Sequence, residues 1–369
     1  MIFSGGVIYG FMFSLFSFFY MSILSWLYTS NKINRYAFVF FICGLSGVFS
    51  AYLSHDSLGY QTIFSKHSMT PFSSVFDEMS GYELFFLITP KFFYAFPVFI
   101  LFCFYALLSF SIKLALIEKV SRNPMLSLLC FFAFFFLYLD GTVIRVSLGI
   151  AVAYWGIYLL SKNNLLGFLA VILLSSLFFH YSLILLLIMP FFRSNLSILF
   201  TIALTFIFLA LFFFGYGILG FLLSATEYLD SSFIGVNKLV SYVHNSQMSH
   251  PYSIIFGSLF IASSVGYFLF RKELSEFELI SFNMLFLSFL CLVALYESQA
   301  LQNRFSEIFR YSLIFVAPLF YEALTRFSVK PRWALGIYCI FLTGYFFYYY
   351  YFKEIISDNN LGLLHTYFF

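Results

Sequence analysis

The candidate chemistry of this chain begins with Arg145, a permanent cation placed a few residues after a phenylalanine-rich run. A guanidinium at or near membrane depth is costly, and such charges usually persist where they serve a site. Its planar fork of N–H donors suits a phosphate or diphosphate, which it can bind through two parallel hydrogen bonds. Together with Arg304 and Arg310 it is predicted to bind a diphosphate without a metal. The alternative for Arg145 is an interfacial anchor that snorkels to the membrane surface.

The candidates for a general base are His180 and three carboxylates. His180 ends an apolar run, and a desolvated neutral imidazole can accept a proton from a hydroxyl group. Glu83, Asp56 and Asp140 are the acidic candidates. The alternative for His180 is a core histidine that is hydrogen-bonded to a backbone carbonyl.

Four further polar residues are predicted to contact the substrate: Tyr60, Tyr181, Ser182 and Glu307. Tyr60 lies four residues after Asp56, a spacing that forms one patch on a helix. Glu307 lies between Arg304 and Arg310 at i, i+3 and i+6, so a helix would place all three on one broad face. That trio is either an anion site or a salt-bridged turn at the membrane interface.

No metal and no cofactor are expected. The histidines His55, His67, His244 and His250 lack the close spacing of zinc ligands. The chain has no Asp-x-Asp pair, no glycine-rich phosphate loop and no Gly-x-Ser-x-Gly elbow. The five cysteines lie in apolar stretches without paired spacing, so they are predicted to be packing residues.

The composition requires a membrane as the solvent for these residues. Of 369 residues, 62% are hydrophobic and 9% are charged, whereas soluble domains carry about 25% charged residues. The apolar runs lack the alternation of a barrel strand, and a lipid-embedded backbone must satisfy its own hydrogen bonds. We therefore predict an all-α polytopic integral membrane protein with about twelve membrane segments. One or two of these are short or re-entrant, in particular the run 183–192.

The connectors between the apolar runs alternate in charge. Lysine and arginine residues fall on every second connector, which the positive-inside rule assigns to the cytoplasm. The residues concerned are Lys32, Arg35, Lys113, Lys119, Arg122, Lys162, Arg193, Arg271, Lys272, Arg326, Lys330 and Arg332. The net charge of +3 suits short membrane connectors and gives no indication of nucleic-acid binding.

All the candidate site residues then fall on the opposite, outer side. That side also carries Asp77, Glu78 and Glu297, and we predict one transmembrane domain over 1–369 with longer outer loops at 55–91 and 215–252. Polar groups at one face indicate a substrate whose head group sits just outside the bilayer. A transporter would place them near the midplane of paired repeats, and the sequence contains no internal repeat.

The order of these elements resembles the EpsG-type, Wzy-like polysaccharide polymerases. The segment from His55 to Tyr60 is similar to that family's G-x-D-x-x-x-Y element, and Gly81 to Phe85 to its glutamate-containing segment. Ile144-Arg145-Val146-Ser147-Leu148-Gly149 resembles I-R-Q-x-x-A, Phe179-His180-Tyr181-Ser182 resembles F-H-x-S, and Arg304 matches a late arginine. The chain departs from the pattern at Val146, where the family has glutamine, and in lacking an arginine before Asp56.

The resemblance implies a GT-C-like bundle that polymerises oligosaccharide repeat units carried on undecaprenyl diphosphate. The reaction would take place at the outer face of a bacterial inner membrane and yield O-antigen, capsule or exopolysaccharide. The implied partners are the lipid-linked oligosaccharides, the bilayer and a chain-length regulator protein. The alternatives are an O-antigen ligase, another membrane acyltransferase or glycosyltransferase, and a non-enzymatic flippase of the same lipid.

Overall fold

The computed structural model describes residues 5–54, 56–75, 82–194, 196, 198–213, 269–295 and 298–353. Within these ranges the chain is built from helices, without a β-strand, as the composition predicts. The α-helices, numbered in chain order, are α1 Gly5–Thr29, α2 Arg35–Val48, α3 Ser57–Met69, α4 Leu84–Phe92, α5 Val98–Val120, α6 Pro124–Phe134, α7 Ile144–Ser161, α8 Leu165–Phe178, α9 Ile198–Phe213, α10 Glu276–Ala294, α11 Gln299–Arg310, α12 Leu313–Arg326 and α13 Pro331–Lys353.

Local sequence signals set several of the helix starts. The side chain of Asn34 accepts a hydrogen bond from the Ala37 amide at 2.8 Å and so caps α2. Asn123 caps α6 in the same way, with Pro124 at the first helical position, where its missing N–H costs nothing. Ser275 and Glu278 form a reciprocal capping box at the start of α10.

Fewer helices have the dimensions of a membrane span than the sequence predicts. Four described helices are long and apolar enough: Arg35–Leu53, Val98–Val120, Ile144–Ser161 and Glu276–Ala294. A fifth span results if the pair Leu301–Arg310 and Leu313–Arg326, bent by 59°, is counted as one. Five further apolar helices or helix segments in the described residues are 10–17 residues long, among them Pro124–Phe134 and Leu165–Phe178, so the described residues support a polytopic membrane protein but not the number twelve.

The chain divides into two compact units. The first contains residues 1–154, 177–180 and 321–369, and the second contains residues 155–176 and 181–320. The predicted outer loop 55–91 lies in the first unit and contains two helices, α3 and α4. The predicted outer loop 215–252 lies outside the described residues.

The first unit is organised around the packing of α2 against α5. Gly47 permits a close approach, because a β-carbon there would lie 2.3 Å from the sulfur of Cys103. At its far end α2 widens into a π-helical turn, Phe49–Leu53, and α6 is followed by a second such turn, Phe136–Asp140. Gly141 lets these two turns touch, since a β-carbon there would lie 2.4 Å from the ring of Phe49.

The short run after His180 is not an α-helix. Residues Tyr181–Phe192 form a 3₁₀ helix with Pro190 near its end. With a rise of about 2 Å per residue, a 3₁₀ helix of this length covers roughly 24 Å, further than an α-helix with the same number of residues. The predicted short membrane segment is thus a short apolar helix of 3₁₀ geometry, and its re-entrance stays a prediction.

Ion pairs join several of the basic connectors within each unit. In the first unit Arg35 pairs with Glu118 at 3.5 Å, and Arg122 pairs with Glu322 at 3.2 Å. These pairs bring together the start of α2, the end of α5, the start of α6 and the later part of α12. In the second unit Arg193 hydrogen-bonds Asn163 and pairs with Glu276 at 3.1 Å, which joins three further connectors.

Candidate active site around Arg145

Arg145 lies in the first turn of α7 and forms an ion pair with Glu83. Its Nη1 donates to Oε2 of Glu83 at 2.7 Å. The Glu83 side chain is 3% exposed, whereas that of Arg145 is 23% exposed, so the carboxylate lies beneath the guanidinium. Two residues with different predicted roles, anion binding and proton transfer, are therefore in direct contact.

Three aromatic rings surround the guanidinium. Its Cζ lies 4.5 Å from the ring centroid of Phe86 and 5.9 Å from those of Tyr60 and Tyr82. These distances are in the range of cation–π attraction, which favours the charge at a site with little water. Nε of Arg145 is buried and has no hydrogen-bond partner among the described residues. The guanidinium is thus held by the Glu83 carboxylate, by a hydrogen bond with Tyr60 and by rings, and part of its side chain remains exposed.

Tyr60 joins the α3 helix to this cluster. Its ring lies 5.8 Å from that of Phe86 and 6.3 Å from that of Phe102. Burial raises the pKa of the Tyr60 phenol, the nearby charge of Arg145 opposes that rise and the charge of Asp56 adds to it. The phenol therefore remains protonated at physiological pH. Asp56 itself is partly exposed and directly precedes α3. Of the predicted patch of Asp56 and Tyr60, only Tyr60 is therefore buried in the aromatic cluster.

The short helices α3 and α4 hold these residues in place. Lys91, near the end of α4, donates to the carbonyl oxygens of His67, Thr70 and Pro71 at 3.2, 2.6 and 3.3 Å and to the Thr70 hydroxyl at 2.8 Å. A buried ammonium group satisfied by carbonyls at a helix C-terminus fixes the end of α3 against α4. The pair α3 and α4 thereby brings Tyr60 and Glu83 to the same place.

The cluster lies along the length of α5 and not at the end of that helix. Its rings pack on Phe102 and Tyr105 of α5, roughly one to two helical turns beyond the start of that helix. Glu83 directly precedes the first turn of α4, where its negative charge complements the helix dipole.

His180 adjoins the same aromatic cluster through its neighbour in sequence. The ring of Phe179 lies 5.1 Å from that of Phe85, which follows Glu83 by two residues. His180 is buried, with 9% exposure, in the first unit and directly after α8. Phe179 and His180 of the F-H-x-S element thus lie in the same unit as the glutamate segment, whereas the outer side of both stays a prediction.

Asp140, the third acidic candidate, lies in a different environment. Both of its carboxylate oxygens accept hydrogen bonds from Lys113, at 2.9 and 2.7 Å. Lys113 was predicted on a cytoplasmic connector, and that assignment is wrong, because Lys113 lies within α5 and its side chain is 0% exposed. The apolar run Leu114 to Ile117, which continues the helix beyond Lys113, is the sequence signal that places it inside.

The C-terminal trio lies in the second unit. Arg310 donates to Glu307 at 2.8 Å, and both side chains are 4% exposed. Arg304 of the same helix, α11, is exposed. The structure thus contains the salt bridge that the i, i+3 spacing predicts, and it leaves Arg304 as the accessible cation of the trio. Diphosphate binding by Arg304 and Arg310 stays a prediction.

The remaining predicted residues divide into two groups. Tyr181 and Ser182 are partly buried at the start of the 3₁₀ helix in the second unit. Outside the described residues lie His55, Asp77, Glu78, Gly81, His244, His250 and Glu297. Within the described residues, no group of three or more His, Cys, Asp or Glu side chains is placed to hold a metal ion.

Comparison with known protein families finds one family model that matches most of the chain. The family model of EpsG matches residues 33–363, a range that includes the whole Arg145 cluster. The chain belongs to the EpsG family. Searches of curated proteins and of solved structures found no match. As a member of the EpsG family, it is a polysaccharide polymerase-like membrane protein. The family is generally one of glycosyltransferase-like polymerases.

Proposed function

We propose that this EpsG-family chain polymerises oligosaccharide repeat units carried on undecaprenyl diphosphate. The product would be an O-antigen, capsular or exopolysaccharide, made at the outer face of a bacterial inner membrane. The observation that carries the proposal is the recessed guanidinium of Arg145, which has one carboxylate partner and a ring of aromatic side chains and belongs to a side chain that is still 23% exposed. A lipid diphosphate supplies the anion such a site binds, and its lipid tail stays in the bilayer.

The chemistry assigns a role to each charge. A hydroxyl at the non-reducing end of the acceptor attacks the anomeric carbon of the donor, forming a new C–O bond. The bond from that carbon to the diphosphate breaks, and undecaprenyl diphosphate leaves with the electron pair. Arg145 would stabilise the negative charge that develops on the leaving group, and the same role predicted for Arg304 and Arg310 of the second unit stays a prediction. His180 or Glu83 would take the proton of the attacking hydroxyl.

The Glu83 contact suits this reaction. In the described structure Glu83 is the carboxylate that neutralises Arg145. A bound diphosphate would compete for the same guanidinium, and the carboxylate would then lose part of its stabilisation. A carboxylate that loses its cation becomes a better proton acceptor. Substrate binding would in this way favour Glu83 as a base at the moment when a base is needed.

The proposal requires Arg145, His180, Asp56 and Arg304 on the outer side of the membrane. The ion pairs of Arg35 with Glu118 and of Arg122 with Glu322 support it, because they join basic connectors within the first unit. We expect cysteines at positions 35, 122, 271 and 332 to react with an impermeant maleimide only after the cells are opened. Cysteine at position 56 or 304 should react in intact cells. Labelling of position 35 or 271 in intact cells would contradict the whole assignment.

Deletion of the gene tests the function directly. A polymerase mutant should retain single repeat units attached to lipid or core and lose the ladder of long chains on a polysaccharide gel. Complementation with the wild-type gene should restore the ladder. A ligase mutant would instead lose all repeat units from the core, and a flippase mutant would accumulate undecorated lipid-linked units on the cytoplasmic side. Either pattern would refute the proposed polymerisation. A chain-length regulator is the expected protein partner.

A further inference from the structure

A second polar cluster lies inside the first unit, next to the start of α7. Asp140 Oδ1 accepts hydrogen bonds from Ser109 at 2.5 Å, Ser147 at 2.7 Å and Lys113 at 2.9 Å, and Oδ2 accepts from Lys113 at 2.7 Å. Lys113 also donates to the hydroxyl of Ser147 at 2.5 Å. The side chains of Lys113 and Asp140 are 0% and 1% exposed, so the charges are completely removed from solvent.

Burying such an ion pair between membrane helices costs free energy. The loss of hydration of two buried charges can exceed their mutual attraction, and two apolar residues of similar size often stabilise as well or better. Charged groups within a span are usually retained for function. The cost here points to a purpose other than fold stability.

Asp140 is fully engaged as a hydrogen-bond acceptor. Four donor contacts from three side chains surround its two oxygens, and its backbone oxygen accepts from Ser46 at 2.8 Å and from Ser50 at 3.1 Å. A general base must reach the proton it accepts at hydrogen-bond distance. A carboxylate enclosed on all sides is unsuited to that role but well suited to connecting elements.

The elements it connects are those that position Arg145. Ser46 and Ser50 belong to α2 and its π turn, Ser109 and Lys113 to α5, and Ser147 to the first turns of α7. Arg145 lies two residues before Ser147, on the same helix. The neighbours Ile144 and Leu148 pack into the aromatic cluster with Tyr60 and Phe86. The polar cluster therefore fixes the depth and rotation of the helix start that carries the guanidinium.

We propose that Asp140 and Lys113 are positioning residues, which hold Arg145 at its substrate through the hydroxyl of Ser147, and that Asp140 is not the base. This inference rests on the proposed function, because its readout is the polymer. A misplacement of about 1 Å at a catalytic group can cost roughly 100-fold in rate, so a positioning residue is visible in activity even when the fold survives.

Two double variants separate positioning from catalysis. Both remove the two charges together, because a single substitution would leave an unpaired buried charge and is expected to lower the amount of protein severalfold. Lys113→Met with Asp140→Asn keeps an acceptor oxygen for Ser109 and Ser147. Lys113→Met with Asp140→Leu removes it. We expect the Asn double variant to make long polymer within about threefold of wild type, and the Leu double variant to make about 10- to 100-fold less.

The polymer yields of the two variants are normalised to the amount of membrane-inserted protein, measured with a tag on the chain. The melting temperature of each variant in detergent is measured as well, and the comparison holds when the two melting temperatures agree. Full polymer from the Leu variant would overturn the proposal, because the acceptor for Ser147 would then be dispensable. Loss of polymer from the Asn variant would also overturn it, because the carboxylate itself would be required. If complementation with the wild-type gene gives no polymer at all, the proposed function fails instead.

A single substitution keeps the inference testable if either double variant fails to accumulate. Ser147→Ala removes the hydroxyl that links Asp140 to α7 and leaves the Lys113–Asp140 pair in place. We expect it to lower long polymer about tenfold, in line with a small displacement of a catalytic group. Ser161→Ala is the matched control, because this buried serine at the other end of α7 donates to Tyr158 of its own helix. Equal polymer from Ser147→Ala and Ser161→Ala would overturn the proposal.

Discussion

Replacing Arg145 by alanine is expected to lower the yield of long polymer by about 100- to 1,000-fold, the usual cost of removing one donor from a developing negative charge. The guanidinium is the cation of the recessed cluster, and in the described structure it is held by one carboxylate and three rings. The measurement is the polysaccharide ladder from a deletion strain that carries the variant, normalised to the amount of membrane-inserted protein.

Lysine at the same position distinguishes a forked anion contact from a simple positive charge. An ammonium group keeps the charge but cannot present two parallel N–H donors, so Arg145→Lys should remain at least about tenfold below wild type. Wild-type polymer from both Arg145→Lys and Arg145→Ala would show that Arg145 is an interfacial anchor only.

The buried partner of Arg145 requires its own control. Removal of the guanidinium leaves Glu83, 3% exposed, as an uncompensated charge, which can destabilise the protein independently of substrate binding. Arg145→Ala combined with Glu83→Gln removes both charges. If Arg145 binds the diphosphate or Glu83 takes the proton, the double variant stays inactive although its protein level recovers, and Glu83→Gln alone separates the two roles. Restored polymer would instead mean that Arg145 serves only to neutralise Glu83.

The sequence predicts the composition of the Arg145 cluster better than its geometry. The apolar runs and the alternating basic connectors place Glu83, Tyr60, Arg145 and His180 on one side, and the first three are in contact while His180 adjoins them through Phe179. Side assignment depends on counting connectors and on the cost of moving charge through lipid, and both are visible in a sequence. Contact between Arg145 and Glu83 depends on how α3 and α4 fold back, which no periodicity encodes.

The polar cluster around Asp140 shows what sequence reasoning misses. Lys113 resembles a connector residue because a charge in an apolar run normally ends the run. In the structure α5 continues to Val120. The buried ammonium group of Lys113 donates hydrogen bonds to Asp140 and Ser147, which lie 27 and 34 positions later in the sequence. The α-helix after Asn123 ends at Phe134, before the end of its apolar run, because the backbone then widens into the π turn Phe136–Asp140. Hydrophobicity specifies burial but not the hydrogen-bond register of a helix.

Replacing His180 by alanine is expected to have the largest effect, a loss of about 100- to 10,000-fold in long polymer, which is the usual contribution of a general base. His180 is buried beside the aromatic cluster that holds Arg145 and Glu83. His180→Gln is the informative partner, because a glutamine side chain keeps hydrogen-bonding capacity but cannot accept a proton at neutral pH. A base therefore predicts equal losses in the alanine and glutamine variants, whereas a structural histidine predicts partial recovery with glutamine. His67→Gln is the matched control, since His67 is also buried in the first unit, 1% exposed, and contacts Tyr82 by its ring. Wild-type polymer from His180→Gln would make His180 structural and leave Glu83 and Asp56, the carboxylates outside the Lys113 cluster, as the candidates for the base.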